Sequence, residues 1–208
     1  MANIPALIAK YGALWEKAKI LPARAKEVAA VAARLVAPDA KGRYQLISTA
    51  TGVPWWVIAV IHEREASQNF SKQLGQGDPL NAVSRHVPRG RGPFLNHPND
   101  PPGQDAFYRG AVDALQNCPP FAARWKDWTP GGTLVLLVLY NGTGYDDYHH
   151  EVSPYDFGAT DQEQRGKYTS DGPQGYDPSV WDTQVGCAAM LKAMMALDPS
   201  IQFAPAAA

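Results

Sequence analysis

A chain of 208 residues, 45% apolar and 19% charged, is long enough to bury a core without metal or disulfide staples. Nineteen basic against 20 acidic residues leave a net charge of −1, which excludes the dense basic stripe that nucleic-acid binding requires. Eighteen glycines and 18 prolines, clustered rather than spread, predict long ordered loops.

In chain order, residues 5–19 and 22–36 predict two helices, rich in Ala, Leu, Val, Lys and Glu, with Pro22 in a tolerated first turn. Pro38-Asp39 breaks the second, and 40–51 predicts another. Thr51-Gly52-Val53-Pro54 is a stop and restart before a helix running to about residue 66. Residues 71–103 carry Gly75, Gly77, Pro79, Pro88, Gly90, Gly92, Pro93, Pro98, Pro101 and Pro102, which exclude a long helix and predict short strands or an irregular lobe. Helices resume over 104–117, 119–127 and 131–141. The last contains TLVLLVLY, apolar on every side and so expected at the centre of the core. A second Gly/Pro/Tyr/Asp-rich stretch covers 142–176, a final helix 178–197, and the tail FAPAAA is expected to fray. The fold class is therefore mainly α: a helical domain with a small irregular or β-hairpin lobe and long Gly/Pro-rich loops. Residues 1–38 are expected as a helical extension packed on the core, 39–200 as the principal domain, and 201–208 as a flexible tail.

The N-terminus, MANIPALIAKYGALWEKAK, lacks a basic segment followed by an apolar one, so no secretory signal is expected. TATGVPWWVIAVI is too short to span a bilayer, so stable membrane insertion is not expected either. Cys118 and Cys187, far apart and without paired spacing, read first as buried thiols rather than a disulfide.

IHEREASQNF, residues 61–70, places two glutamates just beyond a very apolar run. At 100° per residue, Val53, Val57, Ile58, Val60 and Ile61 centre the apolar face, Glu65 falls on its flank, and Glu63 lands roughly opposite. Glu65 is thus the expected half-buried carboxylate and Glu63 the solvated one. Burial raises a carboxyl pKa, and a glutamate lifted toward roughly 6 can donate a proton near neutral pH. The plainer alternative is a surface charge closing an amphipathic helix.

EREASQNF resembles the E-S-x-x-F signature of the lysozyme-like superfamily, whose acid sits at the C-terminal end of a buried helix. The longer run TGVPWWVIAVIHEREASQNFSKQLGQGDPLNAVSRHVPRGRGPF resembles the endolysin-type muramidases of bacteria and phages. YNGTGY, SPYDFGAT, GKYTSDG and DTQVGCAAML look like downstream blocks of that family, so the resemblance covers about residues 40–197. It implies a lysozyme-like α+β domain and a catalytic role for Glu65, the glutamate followed by the small pair Ala66-Ser67. The implied reaction is cleavage of the β-1,4 bond between N-acetylmuramic acid and N-acetylglucosamine, with no cofactor. A monomer is expected, acting on peptidoglycan strands, made in a host cytoplasm and released to the wall. A lytic transglycosylase and a non-catalytic glycan-binding protein of the same fold are the alternatives.

Hydrolysis needs a second carboxylate across the sugar. Asp78 in QGDPL is the candidate, with Ser84, six residues on, as a hydroxyl that positions water; Glu65, Asp78 and Ser84 resemble the Glu–Asp–Thr triad of the T-even phage lysozyme type. The gap between Glu and Asp is longer here, and Ser replaces Thr. Asp78 before Pro79 equally fits an Asx-turn. Tyr140, Asn141 and Tyr145 are candidates to line a sugar cleft, with Tyr155 and Tyr168 carried over from the family blocks. Lys167 belongs to the same blocks. His62 is a candidate to order the cleft or a structural histidine. Asp146, Asp147, His149 and His150 lack HExxH spacing, so no metal site is expected there.

Overall fold

A computed structural model describes residues 3–170 and 172–205. It is mainly helical, and its one named sheet among the described residues has two strands. The chain divides into two compact units. One joins the residues up to Ala33 with those from Asp127 onward; the other is Arg34–Lys126. The boundaries differ from the expected 1–38, 39–200 and 201–208 because the first helix is built into a core with the last ones.

In the first unit, helix α1 (Ile4–Lys17) starts at Asn3, whose side chain accepts the Ala6 N–H at 3.2 Å, and buries Leu7, Tyr11 and Trp15 at four-residue intervals. Its partner is α6 (Pro130–Asn141), capped by Thr129, whose hydroxyl accepts the Gly132 N–H at 3.1 Å. Asp127 holds that cap by accepting the Thr129 hydroxyl at 2.6 Å. Gly131 through Val138 of α6 are buried, as an all-apolar helix should be. The short α7 (Pro154–Phe157) and α8 (Cys187–Leu197) complete this core. Strands β1 (Lys167–Tyr168) and β2 (Tyr176–Asp177) pair antiparallel, Lys167 opposite Asp177.

In the second unit, α3 (Pro38–Thr51) ends at Gly52, whose φ of 74° turns the chain sharply into α4 (Trp55–Ala66). Helix α5 (Ala106–Asn117), capped by Asp105 through the Tyr108 N–H at 3.1 Å, packs on α3. Helix α2 (Ala25–Leu35) carries the boundary between the units.

Three expectations change. The helix at 119–127 is one 3-10 turn, Ala122–Arg124, because Pro119, Pro120 and a left-handed Phe121 (φ 58°) interrupt it. The helix at 178–197 begins nine residues late, at Cys187, where Gly186 N–H bonds instead to the Gly158 carbonyl at 2.9 Å. The tail is docked as far as it is described: Ile201 is buried, Phe203 meets the Trp15 ring edge-on at 5.0 Å, and Ala204 N–H reaches the Trp128 carbonyl at 3.0 Å. Its last three residues lie outside the described ones. Both cysteines are buried free thiols, as expected.

Helices α1 and α6 cross at Gly12 and Gly131, so closely that a Cβ on Gly131 would run into the Ile8 carbonyl oxygen. Gly131→Ala is therefore expected to lose about 1–3 kcal/mol of stability through overpacking. A lower urea midpoint at unchanged slope is the outcome that urea titration should record; an unmoved midpoint would contradict the close crossing.

Candidate functional site around Glu65

Every residue of α4 from Trp55 to His62 is buried. No polar face exists until the last turn, where Glu63, Arg64 and Glu65 are all half-buried. Glu65 takes the expected position. Glu63 does not: its side chain is only 14% exposed, one oxygen is held by Arg34 at 3.0 Å, and the other is buried without a hydrogen-bond partner among the described residues. The helical wheel placed Glu63 in water because it carries no information on what covers the opposite face.

The end of α4 is unusual. Ser67 and Gln68, neither a glycine, both adopt left-handed φ values, 50° and 56°. Their N–H groups reach the Glu63 carbonyl at 2.9 Å and the His62 carbonyl at 3.2 Å, satisfying two of the orphaned helix-end acceptors. Consecutive left-handed non-glycine residues store strain, and such strain gathers at functional sites. Gly77 then closes on the helix end. At its φ of 71° a Cβ would collide with the Glu65 carbonyl oxygen, so the backbone of the QGDPL loop is seated against the helix residue that bears the candidate acid.

That seat puts Asp78 next in line. Its Oδ2 accepts the N–H groups of Arg85 at 2.8 Å and His86 at 3.0 Å, and its Oδ1 meets His86 Nδ1 at 2.8 Å. Desolvation pushes the carboxyl pKa up, but the hydrogen bonds from His86 and Arg85 outweigh it and hold Asp78 below the usual carboxylate range. Asp78 is thus an ionised group tying the 78–86 loop together. Ser84 is buried, donates its hydroxyl proton to the Pro88 carbonyl at 2.7 Å, and accepts the Arg91 N–H at 2.9 Å. Its proton serves the loop rather than a water. Arg91 in turn pairs with Asp113 of α5, its Nε donating at 2.8 Å. Residues 71–103 form an irregular lobe, with a single bridge, Lys72 to Pro79, outside the named strands.

His62 is fully buried, so it cannot touch a sugar. It lies among Tyr44, Phe70 and Phe107, with Nδ1 2.9 Å from the Tyr44 hydroxyl. Burial pushes its imidazole pKa down to about 4, and the Arg43 charge adds to the fall. The remaining candidates lie in the other unit. Asn141 is exposed, Tyr140 and Tyr168 half-buried, and Tyr145 and Tyr155 buried, which withdraws the last two from any cleft lining. Tyr145 accepts the Tyr168 N–H at 3.0 Å and sits edge-on to the Tyr168 and Tyr176 rings. His149 stacks on Tyr176 at 3.6 Å, a cluster that spacing did not reveal. Asp146 is bonded to Lys10 at 2.6 Å and Tyr11 at 2.7 Å. Among the described residues no group of three His, Cys, Asp or Glu is arranged to hold a metal ion, and no single helix is long and apolar enough to cross a membrane.

A depression of about 430 Å³ opens in the Arg34–Lys126 unit, lined by Phe70, Pro79, Asn81, Phe94, Leu95 and Asp105 among others. It begins five residues after Glu65 and one after Asp78. Aromatic and aliphatic walls with amide and carboxylate groups suit a small polar ring, and the volume lies within the roughly 300–1,000 Å³ of small-molecule sites.

Two outcomes follow. Gly77→Ala should destabilise the fold by more than about 1 kcal/mol, since it adds both a clash and a strained φ. Thermal unfolding reads it, and a wild-type Tm would sink the seat. The His62 pKa lies below its unfolded value of 6.5, so the unfolded chain takes up the proton first. Stability should then be whole above about pH 6.5 and decline as pH falls through 4, by roughly 3 kcal/mol at that point. Urea titrations from pH 7 to 4 should show this slope for the wild type and lose it in His62→Phe.

No family model, curated protein or solved structure matches this chain.

Proposed function

We propose that the chain is a peptidoglycan hydrolase of the lysozyme-like type, a muramidase in which Glu65 is the general acid. The observation that carries the proposal is the placement of Glu65. Glu65 is a half-buried residue at the strained end of an otherwise buried helix, with the Gly77 backbone seated against its carbonyl group. The reaction requires a carboxyl group that gives a proton to a leaving glycosidic oxygen, and the last turn of a rigid buried helix holds such a group in a fixed place. Asp78 supplies a fixed negative charge that favours the oxocarbenium-like transition state. The depression in the same unit as Glu65, whose walls begin five residues along the chain and are partly aromatic, supports a sugar-sized ligand. The resemblance adds an endolysin role, with release from the host cytoplasm to the wall during lysis.

One observation favours a second reading. The Asp78 and Ser84 polar groups face their own loop, which suits a lytic transglycosylase that uses the acid alone.

Digestion of purified sacculi tests both. Wild type should release reducing ends, and Glu65→Gln should lose at least ~10²-fold in rate while Glu63→Gln keeps its activity. Anhydro ends would replace hydrolysis by transglycosylation. A Glu65→Gln protein as active as wild type would remove Glu65 from catalysis.

A further inference from the structure

His86 stands apart among the groups around Asp78. Its backbone N–H and its ring both meet the same carboxylate, at 3.0 and 2.8 Å, yet its side chain is 70% exposed. The hydrogen-bonding chemistry fixes the tautomer. An ionised carboxylate can only accept, so Nδ1 carries the hydrogen and Nε2 is the ring nitrogen left to meet solvent. Two backbone N–H groups lock Oδ2 of Asp78, which leaves Oδ1 aimed at the imidazole. The loop is clipped on its far side by Ser84, bonded to both Pro88 and Arg91. A carboxylate orienting an imidazole, on a braced loop, with the other nitrogen open to solvent, is the arrangement of an oriented base. Gly77, one residue before Asp78, ties this dyad to the end of α4 that bears Glu65.

We propose that His86, oriented by Asp78, is the general base that activates water in the glycan cleavage assigned to Glu65. The inference rests on the hydrolase reading and changes its second partner: Asp78 orients, and His86 Nε2 accepts. The water O–H bond breaks, with its proton passing to Nε2, while the water oxygen bonds to the anomeric carbon. The glycosidic C–O bond breaks, and its electron pair takes the proton from Glu65. The imidazolium then returns a proton to the Glu65 carboxylate through solvent, which closes the cycle.

The test uses soluble glycan strands prepared from sacculi and the full chain as wild type, Glu65→Gln, His86→Ala, His86→Gln and His97→Ala. His97 is exposed in the same lobe and serves as a control for losing a surface imidazole. His86→Ala and His86→Gln should fall ~10²-fold in kcat with KM changed little, at wild-type Tm, while His97→Ala keeps full rate. Added imidazole should restore part of the His86→Ala rate and none of the Glu65→Gln rate. A His86→Ala protein that retains wild-type kcat, or one whose loss imidazole does not relieve, overturns the role of His86. A wild-type protein that releases no reducing ends fails the hydrolase reading itself, and activity persisting in Glu65→Gln removes Glu65 alone, so these failures are separable from that of His86.

Discussion

The contact on which the candidate site depends is the seating of the Gly77 backbone against the Glu65 carbonyl. A helix end leaves carbonyl groups unsatisfied, and the chain must turn away within a few residues. Here Ser67 and Gln68 make the turn in left-handed conformations, and the lobe comes back to cover the last turn of α4. Any side chain at position 77 would prise the two apart. Because of this seat, the loop that carries Asp78 is anchored to the last turn of a rigid buried helix.

Charge is distributed unevenly around that contact. Glu63 is tied to Arg34, and Asp78 is held as an anion by two amides and an imidazole. The loop that carries Asp78 therefore has little freedom to reorient it. The His86 side chain, held by Asp78 on one side, is exposed on the other. His62, buried among aromatic rings one turn before Glu65, is kept neutral and serves the packing of the helix.

Part of this site was legible in the residues. Periodicity placed Glu65 on the flank of the apolar face, where the residue is half-buried, and Gly77-Asp78-Pro79 marked a turn with a carboxylate. The pairing of Asp78 with His86 was not legible, because it joins residues eight apart in an irregular loop with no repeating geometry. Nor was the burial of Glu63, Tyr145 and Tyr155, since a helical wheel or a motif says nothing about which distant segment covers a side chain.

The sequence by itself determined the helices at 4–17, 25–35, 38–51, 55–66, 106–117 and 130–141, to within a few residues, and the breaks between them. Apolar spacing, first-turn prolines and glycine stops act over three or four residues, so they survive without tertiary context. It also determined that residues 71–103 would be irregular. Tertiary structure decided the rest: that the first helix joins the last ones in one core, that 178–186 is not helical, and that Asp78 and Ser84 turn inward. Those outcomes depend on which backbone donors and buried charges find partners far along the chain, and no local pattern encodes that.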